Sequence, residues 1–320
     1  MKKGTKIWLI TAAVLIVVGC ILLGGIMAML KWDFPKLSTN NYETNNYEIE
    51  ELFHNTSIVT NVADIEFVAC EGSKCMVECY EQTGIKHLVS VKDDTLVIEV
   101  VDTRKWYEYI GINFQVPKIT VYLPGGEYSV LSIKTNTGNV QIPEDFRFAS
   151  IDVSEDTGNV KSRASVADGI KIKTTTGNIC IENASARALD LSVSTGKVTV
   201  SGVTCTGDVN INVSTGKASI TDTKCQNMVS LGNTGDISLK NVLVEEVCSI
   251  ERSTGDVRFD GADAAGIFVK TDTGDVRGSL RSDKVFFVKT DTGDVHVPKT
   301  MTGGRCEITT NTGDVYITVK

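Results

Sequence analysis

The chain has 320 residues, of which 42% are apolar, 22% charged and 7% aromatic, with 28 Gly, 5 Pro and 9 Cys. It is too apolar and too poor in proline for a disordered chain, and too long for a miniprotein held by a cysteine framework. Beyond Lys31 stand 28 basic and 40 acidic residues, a net charge of −12 that makes nucleic acid or an anionic lipid surface a poor partner for that region.

Residues 1–6 form a short basic tail, with Lys2, Lys3 and Lys6. Residues 7–30 carry no charged side chain. As a helix they span about 36 Å at ~1.5 Å per residue, enough to cross a bilayer core of ~30 Å. The lysines before the span predict a cytoplasmic N-terminus, with everything after Lys31 outside the cell. Two cleaved forms compete with this anchor. A signal peptide would need a shorter apolar core and a small-x-small site, which is lacking here. Val17-Val18-Gly19-Cys20 looks like a lipoprotein box, but ten more apolar or small residues follow Cys20 where such sequences turn polar. Cys20, Gly24 and Ala28 form a small-residue stripe of the kind that packs helices in membranes.

Residues 31–46 read as a polar, Asn-rich linker, and residues 47–130 as a strand-rich N-terminal part of the ectodomain. Trp106, Tyr107 and Tyr109 cluster beside Gly111, as on carbohydrate platforms, though aromatic packing explains such clusters more often.

From residue 131 to the end the sequence repeats. Thr-Gly followed by Asn, Lys or Asp recurs ten times, with glycines at 138, 158, 177, 196, 216, 235, 255, 274, 293 and 313. Such a period marks stacked supersecondary units. Seven and five positions before the glycine, and two and four after it, 37 of 40 residues are apolar; Ser230, Ser162 and Gly278 are the exceptions. Those spacings put both apolar pairs on one face, on either side of a two-residue corner. Ten antiparallel hairpins would also satisfy the turn, but twenty such strands cannot easily hide one continuous apolar face. A parallel solenoid hides it by stacking like on like, giving a rod about 48 Å long. The expected fold is therefore all-β: a parallel β-solenoid of about ten coils, preceded by the strand-rich part and one transmembrane helix.

An anchor, a strand-rich segment ending Ile119-Thr120-Val121-Tyr122-Leu123-Pro124, and then the repeat opened by residues 132–140 (Ser-Ile-Lys-Thr-Asn-Thr-Gly-Asn-Val) together resemble the bacterial putative-adhesin family of β-strand-repeat proteins. The resemblance covers roughly residues 47–320. It implies a β-solenoid on the outer face of the cytoplasmic membrane, sometimes tied to envelope-stress operons, and brings no functional residues with it.

Catalytic signatures are lacking: His54, His87 and His296 are scattered, and neither Gly-x-Ser-x-Gly nor His-Glu-x-x-His occurs. The strongest candidates are two acidic columns, Asp236, Asp256, Asp275, Asp294 and Asp314 just after the glycine, and Asp272 and Asp291 two before it. Polysaccharide-acting β-helix enzymes use such carboxylates, and a calcium ion could bridge two coils. Yet Asp and Asn suit a tight corner in any case, and Arg258, Arg277, Lys270 and Lys289 stand beside them. Among the cysteines, Cys205 and Cys225 share a column in successive coils at a spacing a disulfide can bridge. Cys70 and Cys75 flank a turn, Cys248 and Cys306 share a core column three coils apart, and Cys70, Cys75 and Cys79 have no nearby His for a zinc site. The expectation is a structural or interaction protein, not an enzyme, with no catalytic, cofactor or metal residue assigned and no cofactor. Its expected partners are an envelope polymer or surface protein, the membrane through the anchor, and a second copy through an open C-terminal coil. The competing expectation is a polysaccharide lyase or hydrolase built on the Asp columns.

Overall fold

The glycines set the register of the stack. The computed structural model describes residues 3–33, 41–72, 74–106 and 115–320. Strands on both sides of each corner pair in parallel with their equivalents one repeat away: Ile170 lies beside Leu189, Gly177 beside Gly196 and Ile179 beside Val198. This is a parallel β-solenoid of about ten turns, not a series of hairpins. The four apolar columns form its core, with Leu189, Leu191, Val198 and Val200 all fully buried. Two further core columns lie seven and nine residues after five of the ten glycines, at Ala184 and Ala186 and again at Val203 and Cys205. They come from short strands, Ser185–Ala186, Thr204–Cys205, Lys224–Cys225 and Leu243–Val244, that close the third side of the coil as a four-stranded sheet.

Glycine is demanded at the corner twice over. Its φ is +149° at Gly196, a conformation L-residues avoid, and a Cβ there would lie 1.7 Å from the carbonyl oxygen of Gly177. The same near-contact recurs up the stack. The amide of each of several corner glycines donates to the threonine carbonyl of the next layer, as from Gly158 to Thr176 at 3.0 Å.

At the C-terminal end the layers leave sequence order. The strands Gly304–Thr312 and Val315–Val319 insert between the Gly274 coil and the Gly293 coil, so that Ile267 pairs with Cys306 and Phe286 pairs with Cys306 from the other side. The corner bonds agree: the Gly274 amide donates to Thr312 O and the Gly313 amide to Thr292 O, both at 2.9 Å. Pro298 gives a reason. It falls where the last coil has Thr318, inside a strand paired with Ser279. Proline cannot donate to a ladder and is tolerated at an edge. The open edge is therefore the Gly293 coil, not the last coil in sequence, and Cys248 and Cys306 stand two layers apart rather than three.

The stack also begins earlier than the Thr-Gly marker. Strands β1 (Tyr42–Ile49), β2 (Asn55–Val59), β3 (Asp64–Cys70), β4 (Cys75–Gln82), β5 (Ile85–Lys92), β6 (Thr95–Asp102) and β7 (Lys118–Pro124) precede the first marked coil. β2 and β3 form a coil beneath it, with Ile58 beside Ile133 and Ile65 beside Val140, and Val62-Ala63-Asp64 replaces Thr-Gly-Asn at the corner. β6 and β7 lie parallel beneath β2 and β3. Antiparallel β5 then covers β6, while β4 and β1 extend the other side, so this end is capped by a change of strand direction.

The helix α1 (Lys3–Met29) is long and apolar enough to cross a membrane. It stops in a Schellman pattern: Trp32 N donates to Met27 O and Lys31 N to Ala28 O, with Lys31 at φ 54°. Of the aromatic cluster, Trp106 is exposed, while Tyr107, Tyr109 and Gly111 lie outside the described residues, as do residues 34–40 of the linker; residues 42–46 of the expected linker belong to β1.

The column three before the glycine carries two buried charges. Arg252 is 3% exposed, and its Nη2 donates to Ser230 Oγ at 2.8 Å. Gly232, in the layer beneath, leaves the room, since a Cβ there would meet Arg252 Nη1 at 2.0 Å. Ser230, an exception in the apolar columns, is thus the partner of a buried guanidinium. Glu155 is 3% exposed, and burial pushes its carboxyl up to about 7.

Two outcomes follow from this packing. Gly196→Ala is expected to cost at least about 3 kcal/mol, because the obstacle is backbone, whereas Gly169→Ala, whose Cβ would sit 3.6 Å from Ala188 O, stays near wild type in thermal melts. Glu155 is raised from 4.5 in the unfolded chain to about 7, so its contribution is complete below pH 4.5 and lost as pH rises through 7. At pH 8, Glu155→Gln is expected to exceed wild type by about 3 kcal/mol in denaturant unfolding, a gap that closes towards pH 4.5.

Candidate functional site

The acidic column serves the corner. The Asp256 amide donates to Asp236 Oδ1 (3.2 Å), Asp275 to Asp256 (3.1 Å), Asp314 to Asp275 (2.8 Å) and Asp294 to Asp314 (3.0 Å). At the other end Asn139, Asn159 and Asn178 continue the ladder down to Asp64, their amides passing bonds in the same direction. Asn139, Asn159, Asn178, Asp236, Asp256, Asp275 and Asp314 thus each accept from a backbone amide of the neighbouring layer, while Asp294 joins the ladder through its own amide. The second carboxylate oxygens meet cations: Arg277 contacts both Asp275 (2.8 Å) and Asp314 (2.9 Å), and Lys217 contacts Asp236 (3.0 Å), holding that carboxyl below its ordinary range. Of the second column, Asp272 accepts from Asn311 and Asp291 pairs with Lys289.

Beside this ladder the inserted coil assembles an exposed row. Strand register sets Arg258 next to Arg277, Arg277 next to Tyr316 and Tyr316 next to His296. Parallel pairing spaces such neighbours by ~4.8 Å. Tyr316 is 53% exposed, and its ring lies 6.0 Å from that of His296. Two guanidinium groups, a phenol and an imidazole therefore line up against a row of carboxylates. The repeat columns hold these residues, but their adjacency depends on the layer exchange and is not readable from sequence order.

The cysteines are all free thiols. Cys205 and Cys225 occupy adjacent layers and are buried; the Cys205 thiol donates to Arg187 O at 3.0 Å, and burial pushes the Cys225 thiol up to about 12. Cys70 donates to Lys74 O across the turn.

The cap brings together what sequence distance concealed. Among the described residues, one group of three metal-type donors converges: Cys79 and Glu81 on β4 and His87 on β5, with ligand atoms within 4.8 Å of one another and all three residues buried. His87 Nδ1 lies 2.7 Å from Glu81 Oε2, and its Nε2 lies 2.9 Å from Thr60 Oγ1. Asn45 Nδ2 donates to Glu81 Oε1 at 2.7 Å, and Tyr47 OH to the His87 carbonyl at 3.0 Å. Glu81 and His87 also line a cavity of about 220 Å³ whose wall includes Ile85, Val100 and Pro117. The expectation that Cys79 has no histidine near it is therefore corrected: across the β4–β5 corner at Gly84, His87 meets Glu81 and Cys79. His54 pairs with Asp94 at the surface and lies outside this group.

A family model described as Toastrack DUF4097 matches residues 54–231 and 206–320. The chain belongs to the Toastrack DUF4097 family. No curated protein matches it in sequence. Among solved structures, a "putative lipid binding protein" from Parabacteroides distasonis is similar at 18% identity and TM-score 0.49, over 75% of this chain and 95% of that one. A "putative adhesin" from the same species is similar at 13% identity and TM-score 0.41, over 86% and 97% of the two chains. A "putative adhesin" from Bacteroides fragilis is similar at 16% identity and TM-score 0.33, over 87% and 97%. At these values the strand pairings, not the neighbours, define this Toastrack solenoid and its site.

The ladder makes a prediction that separates corner from metal chemistry. Asp275→Asn keeps the Oδ1 acceptor and is expected to melt near wild type, while Asp275→Ala loses about 1 kcal/mol; added calcium shifts neither.

Proposed function

We propose that the chain is a membrane-anchored solenoid displayed outside the cell, with an adhesin-like, non-catalytic role. In this reading α1 is an uncleaved anchor, the lysines at 2, 3 and 6 stay in the cytoplasm, and the residues between α1 and β1 tether the capped stack above the membrane. The observation that carries it is the row Arg258, Arg277, Tyr316 and His296: exposed, rigidly spaced by strand pairing, and flanked by carboxylates. Guanidinium groups and aromatic edges on a flat sheet suit repeating hydroxyl- and charge-bearing units, so the partner is an envelope polysaccharide or a glycosylated surface protein. Asp256, Asp275 and Asp314 lend little support to a lyase or hydrolase, since their oxygens are engaged by amides and cations of the stack itself. An envelope-stress role is compatible with a rod that reads polymer at a distance from the bilayer.

The test is co-sedimentation of the full chain, in detergent, with purified cell-wall polysaccharide, combined with an assay for released saccharide. Binding without release is expected. Tyr316→Ala with His296→Ala is expected to weaken binding at least tenfold while leaving the melting temperature within a few degrees. Sustained release of saccharide, abolished by Asp275→Ala or Asp294→Ala, would overthrow the non-catalytic reading.

A further inference from the structure

We propose that Cys79, Glu81 and His87 form a Zn²⁺ site inside the N-terminal cap, independent of the surface row and of what that row binds. The donor set is the first argument. A thiol, an imidazole and a carboxylate together suit a borderline-soft cation, whereas calcium and magnesium call for oxygen alone. Geometry is the second. Tetrahedral zinc with bonds of ~2.0–2.3 Å sets its ligand atoms about 3.3–3.8 Å apart. Here they lie within 4.8 Å, and the His87–Glu81 contact is 2.7 Å. Opening that contact by roughly half an ångström and drawing the sulfur in by up to about one ångström completes three corners of the polyhedron, within reach of side-chain rotation.

The surroundings point the same way. A metal-bound histidine ordinarily has its second ring nitrogen fixed by a hydrogen bond, and a ligating carboxylate is itself held. Thr60 Oγ1 stands at His87 Nε2, Asn45 Nδ2 holds Glu81 Oε1, and Tyr47 OH holds the His87 backbone. The cavity of about 220 Å³ touching Glu81 and His87 offers an entry path and room for a water as fourth ligand. The ligands also come from both sides of the β4–β5 corner at Gly84, so the ion would clamp that corner at the capped end.

On binding, the Cys79 S–H bond breaks, its electron pair goes to zinc and one proton leaves to solvent. Where the proton between His87 and Glu81 sits on Nδ1, it moves to Nε2 and is donated to Thr60, leaving the Nδ1 lone pair for the metal.

The experiment uses the full chain in detergent, stripped with chelator and titrated with Zn²⁺ and, separately, Co²⁺. One equivalent of zinc is expected, and the cobalt form is expected to show a thiolate charge-transfer band with tetrahedral visible absorption. Cys79→Ser removes that band and weakens zinc at least tenfold, while Cys75→Ser leaves both intact. Thr60→Val, which keeps all three donors, weakens zinc between tenfold and a hundredfold with the circular dichroism of the β-fold unchanged. Failure of the folded wild type to take up zinc stoichiometrically, or a cobalt band that survives Cys79→Ser or vanishes with Cys75→Ser, would overturn the site. None of these results depends on polysaccharide binding.

Discussion

The contact that every layer shares is backbone on backbone at the corner. A Cβ on Gly177 would lie 1.6 Å from the Gly158 carbonyl oxygen, so the layers approach more closely there than any side chain allows. That closeness lets the ladders of apolar residues stack in register, and it lets an Asn or Asp side-chain oxygen accept from the backbone amide one layer up. Core burial supplies most of the favourable energy, but it is not selective among layers, since every aliphatic column looks alike to its neighbour. The corner supplies the register.

Much of this was readable in the sequence because the corner leaves a chemical mark. Thr-Gly-Asx repeats with a nearly fixed period, and four columns around it are apolar, which gives a parallel stack with an inside and an outside. The columns at Ala184 and Ala186 were harder to see, because alanine, threonine and cysteine stand there as often as valine and the third side is only two residues long in each coil. The coil of β2 and β3 lacks the mark, because Val62-Ala63-Asp64 stands there in place of Thr-Gly-Asx. Exchange of the last two layers left no trace in the pattern, since both coils satisfy the same columns; Pro298 was the sole local sign.

The cap was illegible for a different reason. Cys79, Glu81 and His87 sit in ordinary strand alternation, and their meeting depends on the corner between β4 and β5, with Thr60 just beyond the end of β2 beside it. No spacing rule announces that. The repeat also drew attention to its conspicuous carboxylates, which turned out to be engaged by the scaffold. Conspicuous periodic polar residues in a solenoid are most economically explained as part of its backbone hydrogen bonding, and chemistry is better sought where the period breaks.

Insertion of the final strands has one more consequence. In an ordinary solenoid the chain end is the outermost rung and the first to fray. Here Lys320 is pinned on an interior rung, its amide bonded to the Leu280 carbonyl, and the rung that meets solvent is tethered at both ends by residues 281–283 and 297–303. Loosening at this tip therefore opens a loop held at both ends, while the final two strands stay paired with a neighbour on each side.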